Sequence, residues 1–137
     1  MRRLLLPVLL LVAGCGVPPA VVEGRSSVES GAACVPAPAV TTPPPAGLPE
    51  LPEGTTLTAV GDGTVSGRVP APVAEVVEHF RATMDRAGYV VQREEDEGRA
   101  VRLGFFGARG DATLDVALLT CPVGSTGFTL AVRTTGG

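Results

Sequence analysis

Apolar residues recur at intervals of three and four positions between residues 73 and 87, which is the spacing of one face of an amphipathic helix. Pro72 stands where the first helical turn would begin, and Gly88 stands just past the last apolar position, so both ends carry residue types that helix termini favour. His79 lies beside the apolar stripe and is predicted to be a solvated side chain. The stripe itself consists of Val73, Val76, Val77, Phe80, Met84 and Ala87.

Six shorter segments are rich in β-prone residues, and turn-forming residues separate them, which is typical of strands. Two of these segments precede the helix and four follow it, with Glu94 to Gly98 predicted as an acidic turn. The order ββαββββ predicts an α+β fold, a two-layer sandwich in which one helix packs on a mainly antiparallel sheet. The predicted strands are Thr56 to Val60, Thr64 to Val69, Tyr89 to Arg93, Ala100 to Phe106, Thr113 to Thr120 and Phe128 to Arg133.

The chain before this domain falls into two parts of different composition. Residues 1–14 contain the basic pair Arg2-Arg3, an apolar run from Leu4 to Val12 and the small pair Ala13-Gly14, which are the three parts of a secretory signal. The apolar run is about half as long as the ~20 residues that a membrane-spanning helix needs. Residues 15–52 are rich in proline and predict an extended tether. Residues 53–137 are then left as one small α+β domain.

Cys15 follows the small pair directly, and this position distinguishes the segment from an ordinary signal peptide. The sequence Val12-Ala13-Gly14-Cys15 resembles the lipobox of bacterial lipoproteins. The resemblance implies cleavage before Cys15, a diacylglyceryl group on its sulfur, and a lipid-anchored location on the extracytoplasmic face of the cell membrane. Two or more acyl chains suffice for stable anchoring. The alternative interpretation is an ordinary signal peptide with an incidental cysteine.

Two cysteines remain once Cys15 is assigned to lipid. Cys34 and Cys121 form an even set in an exported chain, which predicts a disulfide between them. Two free thiols or an intermolecular bridge are the alternatives. A metal role is not expected, because neither cysteine has a second ligand nearby and the chain has a single His.

Charge and composition limit the classes of partner. The chain carries a formal charge of −3, which becomes −5 when Arg2 and Arg3 are removed with the signal. A net-acidic, aromatic-poor chain is a poor match for nucleic acid. Membrane association is therefore expected to depend on the lipid of Cys15 alone. No catalytic residues, cofactor or metal are predicted, since the sequence has no paired acids with a nucleophile and no glycine-rich phosphate loop.

One face of the predicted sheet is a candidate binding surface. Arg68, Arg102 and Arg133 are predicted to project from the face opposite the helix, among small residues that would let a partner approach closely. The alternative is an ordinary antiparallel face in contact with water.

These features predict a non-catalytic interaction module, displayed outside the membrane, that binds another envelope protein or a cell-wall component. A small-ligand carrier or sensor is the alternative, and an enzyme is not expected. A deep apolar cavity between helix and sheet would favour the carrier, whereas a filled core and an exposed binding face would favour the interaction module.

Overall fold

The computed structural model describes residues 34–135. The predicted signal of residues 1–14, Cys15 and the first part of the predicted tether lie outside the described residues. No helix within the described part has the length and apolar character needed to cross a membrane. The elements, in chain order, are β1 (Thr56–Gly61), β2 (Thr64–Val69), α1 (Val73–Arg86), β3 (Tyr89–Asp96), β4 (Ala100–Gly107), β5 (Gly110–Leu118) and β6 (Thr126–Thr134).

The six strands form one antiparallel sheet in the spatial order β1-β2-β6-β5-β4-β3. The segment from β3 to β6 is a meander in which each strand pairs with the next, and β6 then pairs with β2 of the N-terminal hairpin. The helix α1 connects the hairpin to β3 at the opposite edge of the sheet. The predicted α+β class and the order ββαββββ are confirmed.

The helix and the sheet contribute to one hydrophobic core. Val76, Val77, Phe80 and Met84 on the predicted stripe of α1 are buried. The Phe80 ring lies 5.0 Å from the ring of Phe128 on β6, centroid to centroid. Strands β2, β4, β5 and β6 bury alternate residues in the same core, as the alternation of side chains along a strand predicts. Those strand residues are Val65, Val69, Val101, Leu103, Phe105, Ala112, Leu114, Val116, Phe128 and Leu130.

The prediction of an acidic turn from Glu94 to Gly98 is wrong, because β3 continues to Asp96. The strand contains a bulge between Val91 and Arg93, where one additional residue is inserted opposite β4. After the bulge, Glu94 lies opposite the buried Leu103, and its carboxylate pairs with the Arg81 guanidinium on the helix. Pairing with β4 thus continues through Glu94, Glu95 and Asp96.

Residues 34–52, which we call the strap, contact the domain at several points. Cys34 forms a disulfide with Cys121, and their Cα atoms are 5.5 Å apart. The predicted disulfide is therefore confirmed. Further along the strap, the Val40 amide donates to the Leu57 carbonyl at 2.9 Å. The disulfide thus attaches the strap to the loop between β5 and β6, and the amide hydrogen bond attaches it to the edge strand β1.

The last part of the strap packs against the helix side of the domain. Leu48 and Leu51 contact the hydrophobic core. The Nε2–H of His79 donates to the Glu50 carbonyl oxygen at 2.8 Å. His79 is half-buried and this hydrogen bond is exposed, which agrees with a side chain on the flank of the helix. The sequence of the helix alone did not indicate that the strap returns to it.

We expect Phe80→Ala to lower the free energy of unfolding by about 3–5 kcal/mol, because it removes a fully buried ring from the core. Asp85→Ala, on an exposed position of the same helix, is the control and should change stability by no more than about 0.5 kcal/mol. Urea unfolding followed by circular dichroism measures both values. Equal losses at the two positions would contradict this account of the helix.

We expect Cys34→Ser to lower the midpoint of thermal unfolding, since closure of a loop with a sequence separation of 87 is worth about 4–5 kcal/mol in the chain-entropy model. The substitution should also make residues 34–47 sensitive to protease. Cys34→Ser with Cys121→Ser is the matched control for a remaining free thiol. Two reactive thiols per chain in the Cys15→Ala protein, titrated in denaturant without reductant, would contradict the disulfide.

Candidate functional site

The face of the sheet whose side chains point away from the hydrophobic core, which we call the outer face, carries the predicted binding residues. Burial alternates along β4 and β5, so the odd-numbered residues of β4 point into the core and its even-numbered residues point outward. Arg68, Arg102 and Arg133 all lie at outward positions of their strands. The sequence therefore placed these three arginines on the correct face.

The strand register arranges the outer side chains in four rows that cross the sheet, because paired residues of antiparallel strands lie opposite each other. The rows follow one another along the strands at intervals of about 7 Å. The first row, nearest the strap disulfide, contains Arg68, Gly127, Ala117 and Ala100. The second contains Ser66, Thr129, Asp115, Arg102 and Glu95. The third contains Thr64, Ala131, Thr113, Gly104 and Arg93, and the fourth contains Arg133, Asp111, Phe106 and Val90.

Rows of small residues alternate with rows of large polar residues on this face. The first and third rows consist mainly of Gly, Ala and Thr, whereas the second and fourth rows carry most of the charged groups. Small side chains between larger ones leave several depressions on this face, two of which extend over β6. One overlies the first row and the other overlies the third.

The depression at the first row, which we call the groove, has a volume of about 350 Å³. Its walls include Ala37 of the strap and Cys121 of the disulfide, and Leu119 covers one end by packing on Gly127. The Arg68 guanidinium donates to the Ala37 carbonyl oxygen. Arg68 therefore holds the strap at the edge of the groove, and the exposed lining of the groove is mostly apolar.

The depression at the third row, which we call the trough, has a volume of about 480 Å³. Gly104, Thr113 and Ala131 form its floor, and its walls are residues of the second and fourth rows. Arg93, Arg102 and Arg133 line it together with Asp111 and Asp115. Two of the three predicted arginines thus meet at one site, while Arg68 belongs to the groove.

Only some of the charged groups in the trough form ion pairs. The Arg102 Nε–H donates to the Asp115 carboxylate at 2.6 Å. The hydrogen bond and the charge of Asp115 raise the pKa of the Arg102 guanidinium above its ordinary value. Arg93 pairs with Glu95 through Nη2 at 2.9 Å. The remaining guanidinium N–H groups of both arginines have no ion-pair partner among residues 34–135.

The fourth row contains the least satisfied groups of the outer face. Arg133 and Asp111 lie opposite each other in the register but form no ion pair within the described range. Phe106 and Val90 lie opposite each other at the β3 end of the same row, with 49% and 63% of their surface exposed. An exposed aromatic–aliphatic pair therefore adjoins the charged end of the trough. Phe106 also lines a neighbouring depression together with Arg93.

The sequence did not identify Arg93 as a site residue. Simple alternation from Val91, which faces the core side opposite Phe105, would direct Arg93 inward. The bulge shifts the parity and places Arg93 opposite the outward Gly104. The sequence provided no local signal for the bulge, because neither glycine nor proline marks its position.

The donor chemistry of the site is that of arginine, hydroxyl and carboxylate groups. Among residues 34–135, no group of three or more His, Cys, Asp or Glu side chains is placed to hold a metal ion. Comparison with known proteins found no family model that matches the chain and no curated protein with significant sequence similarity to it. The function is therefore inferred from the outer face itself.

Proposed function

We propose that this chain is an exported lipoprotein, anchored by lipid on Cys15 to the extracytoplasmic face of a bacterial cell membrane. The folded domain acts as a non-catalytic binding module for another envelope component. In this proposal the sheet is covered by the helix on one side only, as a two-layer sandwich. The outer face, with the trough at its centre, binds the partner.

The anchor is inferred from the lipobox resemblance of residues 12–15 together with the assignment of the other two cysteines. Because Cys34 and Cys121 bond to each other, Cys15 is the cysteine left for another role. A lipid on Cys15 would leave residues 15–34 as the free spacer before the strap. Stable attachment then requires no basic patch on the folded domain.

The observation that carries the binding-module proposal is the exposed trough on the outer face. The core between helix and sheet contains large, fully buried side chains, among them Phe80, Met84 and Leu103. The trough, by contrast, is open, charged and lined by arginine, which favours recognition of an acidic surface. Cofactor, metal and catalytic roles are not part of the proposal.

The groove favours a second candidate function, that of a small-ligand carrier or sensor. Its volume of about 350 Å³ is near the lower end of the ~300–1,000 Å³ typical of ligand sites. The lining is mostly apolar and one wall is the disulfide-bound strap. A small apolar ligand would be the matching chemistry, and it would bind independently of the trough.

We expect Cys15→Ala to release the protein from the membrane fraction and to leave its signal uncleaved, because both lipidation and lipoprotein processing need the thiol. Cys34→Ser is the matched control, since it removes a different cysteine and should leave the protein membrane-bound. Fractionation and immunoblotting measure both. A cleaved Cys15→Ala protein that stays in the membrane would refute the lipid anchor.

We expect a photo-crosslinking amino acid at Thr113, on the floor of the trough, to form adducts with an envelope component in intact cells. The same amino acid at Asp85, on the exposed side of the helix, is the control and should form few or none. Digestion of the adducts with protease or with a cell-wall hydrolase identifies the class of partner. Equal adducts at both positions, or adducts at Asp85 alone, would contradict a binding function of the outer face.

A further inference from the structure

The trough differs in charge from the rest of the domain. Residues 34–135 carry twelve Asp and Glu against eight Arg, whereas the trough is lined by three Arg and two Asp. Most acidic residues lie elsewhere, on the strap, the helix and the β3–β4 hairpin. Glu95 adds a third carboxylate through its pair with Arg93, so the charges of the trough balance on an otherwise acidic domain. Arg133 forms no ion pair among residues 34–135, and its guanidinium can attract an anionic group to this site.

The shape of the trough fits one slender chain. The second and fourth rows are four residues apart along each strand, which is about 13 Å between their Cα atoms. The side chains of both rows project into the gap, so its free width is smaller than the Cα separation. The space above the small third row therefore accepts an extended chain and excludes a helix of 10–12 Å diameter. The floor continues across β6, β5 and β4, so the chain would lie across the strands.

Arg133, which forms no ion pair among residues 34–135, lies at one end of the fourth row. The apolar pair Phe106 and Val90 lies at the other end. Arg133 on β6 and Phe106 on β4 are two strands apart, which corresponds to about 10 Å. That distance is spanned by about three residues of an extended or polyproline II peptide. The exposed Phe106–Val90 pair offers an apolar contact that suits a peptide side chain.

We infer that the trough binds an extended acidic peptide segment of an envelope protein, in which an acidic residue and an apolar residue lie about three positions apart. Arg133, assisted by Arg93 and Arg102, would bind the acidic side chains through paired N–H donors. Phe106 and Val90 would contact the apolar side chain. An anionic glycan would satisfy the arginines but carries no aliphatic side chain to contact Val90. This inference rests on the proposed binding function of the outer face and names its ligand.

The test is a selection from a displayed library of random peptides against the full lipoprotein chain in detergent. We expect the selected peptides to be enriched in Glu or Asp with an apolar residue about three positions away. A synthetic peptide from the selection should then bind at least tenfold more weakly to Arg133→Glu and to Phe106→Ser. Polygalacturonate, an anionic glycan without apolar side chains, should not displace it.

Two variants outside the trough are matched controls for charge and for apolar surface. Arg99→Glu, in the β3–β4 turn, makes the same change of charge as Arg133→Glu, and Val123→Ser removes another exposed apolar side chain. Both should retain peptide binding, and thermal unfolding should confirm that all four variants are folded. The inference is refuted by a selection without acidic enrichment, by equal losses in the control variants, or by displacement with polygalacturonate.

The same experiment separates this inference from the broader proposal. Adducts from the crosslinker at Thr113, together with failure of acidic peptides to bind, would leave the outer face as a binding surface and refute only the peptide chemistry. Absence of adducts at Thr113 would refute the binding function itself. Peptide binding that depends on Arg133 and Phe106 supports both.

Discussion

The pairing of β2 with β6 joins the N-terminal hairpin to the C-terminal meander, and both faces of the domain depend on it. On the inner side it brings Val65 opposite Leu130 in the core. On the outer side it brings Ser66 opposite Thr129, with their hydroxyl oxygens 2.9 Å apart. Because side chains alternate, a shift of one residue would expose the core set and bury the polar set. The register that stabilises the core therefore also builds the groove, which residues of β2 and β6 line together.

The sequence was sufficient to predict the features that repeat with a regular period. The helix from Val73, the six strands and the outward position of Arg102 all follow from spacing, and the structure has them. The sequence did not predict features that depend on one inserted residue or on a contact with a distant part of the chain. Arg93 was missed because a bulge changes its parity, and the contact between His79 and Glu50 was missed because Glu50 lies far away in the chain.

The strap explains how so small a domain gains additional structure from a proline-rich segment. Proline cannot contribute amide hydrogen bonds, so the segment contributes little regular pairing, and its contacts are a disulfide, a few hydrogen bonds and the packing of Leu48 and Leu51. The disulfide attaches the strap to the domain without the alternating residue pattern that a paired strand would need. It also fixes Ala37 beside Arg68, which gives the groove a wall that the sheet alone would lack.

The bulge in β3 determines which side chains, and therefore which charges, lie at the β3 end of the trough. Regular alternation after Val91 would direct Glu94 and Asp96 to the outer face and Arg93 toward the helix. The additional residue reverses this arrangement, so that Arg93 lies opposite Gly104 and Glu94 pairs with Arg81 instead. Without the bulge, Gln92 would lie opposite Gly104 and Glu94 would take the place of Glu95 opposite Arg102. A single inserted residue thus adds a guanidinium group to the trough.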